Sequence, residues 1–193
     1  MNQNEMLALY ENSGALLTGH FVLSSGRHSA RYLQSALVLE QPQNSTQLAQ
    51  QLVNLVQGEA IDLVVAPALG GLIIGYEVAR LLNKPFIFTE RKEGEMQLRR
   101  GFTIASGARV LVVEDVITTG GSVRECMAVV KACGGVPFQV VAVVDRAPDA
   151  EGRFDVPHQT AITMQVETYT AEACPLCAAG TLPAVKPGSR GHA

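Results

Sequence analysis

The chain has 193 residues, 18 acidic and 15 basic, for a formal charge of -3, enough for one cored domain and too little for two of ordinary size. Hydrophobic residues at 47% and charged residues at 17% exclude a disordered or supercharged chain and leave no general basic excess for gripping nucleic acid. With aromatics at 5%, no Trp and 18 Gly, the balance favours aliphatic α/β architecture over a stacking platform for single-stranded RNA or DNA.

The opening Met1-Asn2-Gln3-Asn4-Glu5 lacks the basic and apolar regions of a secretory signal. The longest uncharged apolar-rich stretch, between Asp62 and Glu77, falls short of the ~20 residues a membrane span needs. A cytoplasmic protein is expected, with neither membrane nor nucleic acid as partner.

Met6, Leu7, Leu9 and Tyr10 predict an amphipathic helix that ends at Asn12-Ser13-Gly14. Residues 19–34 read as two short strands around a turn at Ser24-Ser25-Gly26-Arg27. A helix follows Pro42, with Leu48, Leu52, Leu55 and Val56 on one face; Asn44-Ser45-Thr46 reads as its N-cap region rather than as a glycosylation site. From Ile61 apolar runs alternate with helical segments: strand 61–66, helix 71–82, strand 85–89, strand 109–113, helix 121–133 and strand 136–145. The tail, 183–193, is expected to fray.

Buried β-branched runs alternating with helices predict a mostly parallel sheet covered on both faces. Ligands of such folds sit at the carboxyl ends of the strands. Here those ends are followed by Pro67-Ala68-Leu69-Gly70-Gly71, Glu90-Arg91-Lys92, Glu114-Asp115 and Asp145-Arg146, which gathers the polar chemistry at one rim.

The most informative segment runs from Val110 through Glu114, Asp115, Val116, Ile117, Thr118, Thr119, Gly120, Gly121 and Ser122 to Val123. Unpaired N–H groups at a helix start, with the helix dipole, favour a phosphate; glycines let backbone approach it and hydroxyls add donors. Two carboxylates beside a phosphate would repel it, so they must face hydroxyls or a metal ion. A phosphorylated sugar offers a phosphate at one end and ring hydroxyls nearby. The competing use of the segment is an ordinary strand–turn–helix junction.

This string resembles the phosphoribosyl diphosphate (PRPP) motif of type I phosphoribosyltransferases. Other segments resemble the orotate phosphoribosyltransferases within that family: Ser25-Gly26-Arg27-His28-Ser29 with Arg31-Tyr32 their hood turn, Glu90-Arg91-Lys92-Glu93 the start of their mobile catalytic loop, and Asp145-Arg146 their base-recognising strand end. Cys174-Pro175-Leu176-Cys177 with Lys186-Pro187-Gly188-Ser189-Arg190 resembles one bacterial and archaeal branch. The resemblance implies a single domain over 1–193 in which 1–40 and 160–193 form the hood and periphery. It implies PRPP contacts from Glu114 through Ser122, with Glu114 and Asp115 on the ribose hydroxyls and Thr118 to Ser122 on the 5-phosphate. It implies orotate contacts from Thr118 and Arg146, catalytic roles for Asp115, Arg91 and Lys92, Mg²⁺ carried in with PRPP, and a homodimer. The reaction would join phosphoribose to orotate, releasing diphosphate and forming orotidine 5-monophosphate for pyrimidine (UMP) biosynthesis.

Arg146 suits the carboxylate of orotate, which a planar guanidinium binds in two places. Its competing use is a surface salt bridge with Asp145 or Asp149. Residues 90–101 hold seven charged side chains, which read as a solvated loop or, opposite a diphosphate, as a cationic lid. Three lysines and a histidine of better-known relatives are missing: Glu95 and Gln97 stand for a loop lysine and histidine, Ser24 for a lysine before the hood turn, and Leu69-Gly70 for a Tyr-Lys pair. Arg99, Arg100, Arg27 or Arg31 are candidate replacements.

No protein-held metal site is expected. Cys126 and Cys133 are poorly spaced to join Cys174 and Cys177, which read as ordinary thiols, and His20, His28, His158 and His192 show no ligand spacing. The alternatives to an orotate enzyme are a purine phosphoribosyltransferase and a non-catalytic PRPP-sensing regulator on the same fold.

Overall fold

The computed structural model describes residues 1–23, 25–147 and 152–186. Ser24 of the hood turn, Asp149, and the Pro187-Gly188-Ser189-Arg190 ending lie outside the described residues.

The chain opens with helix α1 (Gln3–Asn12), held at its start by a capping box between Asn2 and Glu5. An antiparallel pair, β1 (Leu16–Val22) and β2 (His28–Leu33), forms a separate two-stranded sheet. Two helices follow, the short α2 (Ser35–Leu39) and α3 (Pro42–Leu55), the latter with proline in its first turn, where its missing N–H costs nothing.

The remainder winds around a six-stranded sheet. In chain order it runs β3 (Leu63–Pro67), α4 (Gly71–Leu82), β4 (Phe86–Lys92), β5 (Glu95–Leu98), β6 (Arg109–Ile117), α5 (Gly121–Ala132), β7 (Val136–Asp145), β8 (His158–Thr163) and the short α6 (Pro175–Ala179). The spatial order is β5-β4-β3-β6-β7-β8, all parallel except the edge strand β5.

Period-two alternation sends neighbouring side chains of the central strands to opposite faces. Leu111, Val113, Val141 and Val143 join one core with Leu48 and Leu52 of α3 and Ile74 and Val78 of α4. Val110, Val112, Val140 and Ala142 join another core with Val123, Cys126, Met127 and Val130 of α5. Each strand is apolar on both sides because each side is roofed by a helix. No helix among the described residues is long and apolar enough to cross a membrane.

Helix α4 and strand β7 have the predicted bounds, and α3 and α5 lie where periodicity placed them. Strand β6 runs four residues past its predicted end at Val113, because its ladder with β7 continues through Glu114 with Ala142, Val116 with Val144 and Ile117 with Asp145. Glu114 and Asp115 therefore sit in the last part of a strand, not beyond it. Strand β4 likewise continues to Lys92, paired with β5 through a turn in which Glu93 and Gly94 have φ of 54° and 89°. The charged stretch expected as a loop is mostly this hairpin.

Candidate active site

At the carboxyl ends of the parallel strands lies a cavity of about 630 Å³. Its floor is the continuous segment from Glu114 to Val123, which carries the end of β6 into the first turn of α5. Gly120 makes the corner in the left-handed region, φ 75°, and an added Cβ there would stand 2.8 Å from the Phe154 ring. No side chain caps α5, so the N–H groups of its first turn remain available to a phosphate.

Two arginines brace this turn from behind. Arg124 donates from Nη1 to the Thr119 carbonyl at 2.8 Å, and Arg153 donates from Nη1 to the Thr118 carbonyl at 3.2 Å. Arg153 is itself anchored on Asp145 by two bonds of 3.0 and 2.6 Å. Arg153 carries no signal in the sequence, since nothing in the pattern around it points to a partner at Asp145.

The two carboxyls differ. Glu114 is buried and its Oε1 accepts the Asp115 N–H at 3.1 Å. Burial holds its carboxyl well above the usual range, and the neighbouring charge of Asp115 pushes the same way. Asp115 is half-buried and faces the loop between β3 and α4: an added Cβ on Gly70 would lie 2.6 Å from its Oδ1. A glycine there is what lets the loop pass so close. Tyr32, another lining residue, has its phenol pushed up by burial and then by the Asp115 charge.

Arg146 lines the same cavity. Its backbone N–H bonds the Ile117 carbonyl at 2.9 Å, which fixes it beside the turn that opens α5. The Nε of its guanidinium is buried without a hydrogen-bond partner, and burial lowers its pKa from the ordinary value. Asp145 is occupied by Arg153, so it is not the partner of Arg146. A buried cationic group with an unpaired donor is costly unless an acceptor satisfies it.

The cations of the β4–β5 hairpin divide. Arg91 lines the cavity while paired with Glu125 at 2.6 Å. Lys92 is exposed beside the hairpin turn and does not line the cavity. Arg99 and Arg100 both lean on Glu90, at 3.3 and 2.9 Å. Overhead, Val22, Leu23 and Ser25 of the β1–β2 hairpin close the cavity together with Lys186, a cation that sequence reading noted only as part of a branch ending.

A model of the phosphoribosyl transferase domain matches residues 38–153. The orotate phosphoribosyltransferase of Desulforamulus reducens is 48% identical over 190 residues, spanning 98% of each chain. That of Pelotomaculum thermopropionicum is 50% identical over 190 residues, 98% of this chain and 99% of the relative. This chain belongs to the orotate phosphoribosyltransferase family. The crystal structure of the Aeropyrum pernix orotate phosphoribosyltransferase superposes with a TM-score of 0.72 at 28% identity, covering 83% of this chain and 94% of that one. The type I phosphoribosyltransferase fold expected from the Glu114 to Ser122 string is thus the fold observed, a mostly parallel sheet flanked by helices. In family terms, the floor of the cavity coincides with that string throughout.

Proposed function

We infer that this chain is an orotate phosphoribosyltransferase, transferring phosphoribose from PRPP to orotate and releasing diphosphate, in pyrimidine biosynthesis. The observation that carries the substrate is Arg146, which lines the cavity whose floor suits a sugar phosphate and whose buried guanidinium Nε has no hydrogen-bond partner. Orotate brings a carboxylate to it; a neutral purine brings none.

The 5-phosphate rests on the first turn of α5, against the N–H groups and hydroxyls of Thr118 to Ser122. Glu114 and Asp115 accept from the ribose 2- and 3-hydroxyls. The orotate ring lies between Thr118 and Arg146. Its ring nitrogen bonds the anomeric carbon as the bond to diphosphate breaks, through an oxocarbenium-like state. The protein supplies alignment and charge rather than a nucleophile.

Asp115, a hard oxygen donor on the cavity floor, would hold Mg²⁺ carried in with PRPP, beside Glu114, which would first give up its proton. When bound, the metal neutralises the diphosphate. Arg91, on the cavity wall, adds a cation to the leaving group, and Lys92 does so from the same hairpin once the hairpin closes.

The whole of 1–193 acts as one unit, with 1–40 and 160–193 as hood and periphery, in the cytoplasm, where the four free thiols suit a reducing medium. It works as a homodimer: Leu69, Ile73 and Tyr76 form a stripe 74%, 47% and 59% exposed, apolar surface that a second copy would cover.

The deciding experiment incubates the protein with PRPP, Mg²⁺ and one base at a time. Orotate should be consumed, with orotidine 5-monophosphate and diphosphate formed in equal amounts, and adenine, guanine and hypoxanthine left unchanged. Turnover of a purine, or of no base, would overturn the reading.

A further inference from the structure

The β1–β2 hairpin packs on the body through Leu16 and Leu33, which join the core shared with α3 and α4. Residues 165–186 cross the hood largely as irregular chain, pairing Phe21 with Val185 and His28 with Tyr169 as isolated bridges. Phe21 and Cys174 are buried here, yet neither belongs to the two cores that flank the sheet.

Four side chains meet behind this surface. His20 comes from β1, His28 from β2, and Cys174 and Cys177 from the start of α6. Their ligand atoms all lie within 4.8 Å of one another, and they are the one such group of three or more His, Cys, Asp or Glu among the described residues. His20 Nε2 is 3.7 Å from the Cys174 sulfur and 3.6 Å from the Cys177 sulfur. His28 Nδ1 is 3.3 Å from the Cys177 sulfur. A tetrahedral zinc with ordinary bond lengths holds sulfur and imidazole nitrogen about 3.6 Å apart.

We propose that His20, His28, Cys174 and Cys177 bind one structural Zn²⁺ that clasps the C-terminal segment to the hood hairpin. The second ring nitrogen of His20 supports this. Its Nδ1 lies 3.2 Å from the Leu182 carbonyl, so Nδ1 carries the proton and donates outward, and the bare lone pair of Nε2 turns into the cluster. His20, His28 and Cys174 are 4%, 8% and 2% exposed, so without an ion two imidazoles and a thiol are buried with little but each other as partners.

Cys174-Pro175-Leu176-Cys177 has the Cys-x2-Cys spacing of zinc sites, with the chain turned by the helix that begins at Pro175. The two histidines are eight residues apart, a spacing that conceals them in sequence; the hairpin brings them to 2.8 Å, nitrogen to nitrogen. On binding they open by about half an ångström to span an ion. Both cysteines bind as thiolates, releasing two protons, so the ion and its ligands are together neutral and bear burial. Four protein ligands leave no open position, which makes the site structural rather than catalytic.

The position of the clasp gives it a consequence, which rests on the transferase reading although the metal site does not. His20 is two residues from Val22, and Val185, paired to Phe21, is next to Lys186. Val22 and Lys186 both line the main cavity. Zinc therefore fixes the wall of the hood and the place of Lys186.

The test is metal analysis of the untagged chain, expressed in zinc-supplemented medium and passed through gel filtration in a weak chelator. About one zinc per chain is expected. Stripped under reducing conditions and given Co²⁺, the chain should show the intense visible bands of tetrahedral cobalt with thiolate charge transfer in the near ultraviolet. Cys177→Ser should lose the metal and Cys177→His, which keeps a ligand, should retain it. Zinc far below one per chain with no cobalt–thiolate band would overturn the proposal, as would zinc unaffected by Cys174→Ser together with Cys177→Ser, another metal in stoichiometric amount, or a Cys174–Cys177 disulfide under reducing purification. None of these readouts requires turnover, so failure of the metal site and failure of the transferase reading are separable.

Discussion

Arg153 and Asp145 form a buried, two-point ion pair, with side chains 5% and 3% exposed, and the same guanidinium that grips Asp145 donates to the Thr118 carbonyl in the phosphate turn. The pair thus ties the end of β7 to the turn that opens α5. Removing one partner of a buried pair costs about 3–5 kcal/mol, because the other is left charged in a poor solvent. Arg153→Met should lower stability by about that amount and raise KM for PRPP, since Thr118 loses its brace. Combining it with Asp145→Asn should recover much of the stability and little of the PRPP affinity. Denaturant melts and PRPP kinetics on the single and double variants check both halves.

Arg146 should separate the two substrates. A charge-assisted hydrogen bond contributes about 1.5–3 kcal/mol, so Arg146→Ala should raise KM for orotate by about tenfold to a hundredfold. KM for PRPP should change little. Arg146→Lys should recover little of the loss, since an ammonium cannot reproduce the fork. Unchanged orotate kinetics in Arg146→Ala would remove the main support for the substrate.

Glu114 should make the empty protein less stable as pH rises. Its folded-state pKa is raised by burial, so from the ordinary carboxylate range upward the native state holds a proton the unfolded chain has lost. The stability that Glu114 contributes is complete below its unfolded pKa and is lost as pH climbs through the folded value, with a slope of about 1.4 kcal/mol per pH unit. Glu114→Gln removes the titration. Thermal melts of the ligand-free protein from acid to mildly alkaline pH should show the variant gaining on the native chain as pH rises, and a constant difference would contradict the burial argument.

Gly120 carries two demands at once. A residue with Cβ is strained at φ 75°, a cost of about 1–2 kcal/mol, and the Cβ would press on Phe154 from 2.8 Å. Gly120→Ala should lower Tm by a few degrees and weaken PRPP binding by more than that loss of stability accounts for. Equilibrium binding of PRPP, measured well below the melting range, distinguishes the two effects.

What could be read from the chain divides by the range of the interaction. The buried strands and helices follow from local periodicity, and the phosphate turn is contiguous, so β7, α4 and the string from Glu114 to Ser122 were legible. Strand β5 was not: Glu95, Met96, Gln97 and Leu98 are too few to show a period, and only the positive φ of Glu93 and Gly94 turns them back onto β4. Arg153 and the meeting of His20 with Cys174 were hidden for another reason, since tertiary pairing across eight and 154 residues leaves no mark in spacing.

Which cation meets the diphosphate is decided at the β4–β5 hairpin. Arg91 reaches the cavity wall but is paired with Glu125, and exposed ion pairs are worth about 1 kcal/mol or less, so a trianionic or tetraanionic ligand can draw the guanidinium away at small cost. Arg99 and Arg100 share Glu90 at the base of the hairpin, away from its turn. Arg91→Ala should therefore lower kcat by about a hundredfold or more, the scale of losing one charge-stabilising donor. KM for orotate should stay near its native value. Glu125→Gln should leave kcat unchanged or raise it, because it only frees Arg91. Should Arg91→Ala retain full kcat while Arg99→Ala or Arg100→Ala loses it, the catalytic cation comes from the base of the hairpin, where Arg99 and Arg100 must leave Glu90 to meet the diphosphate.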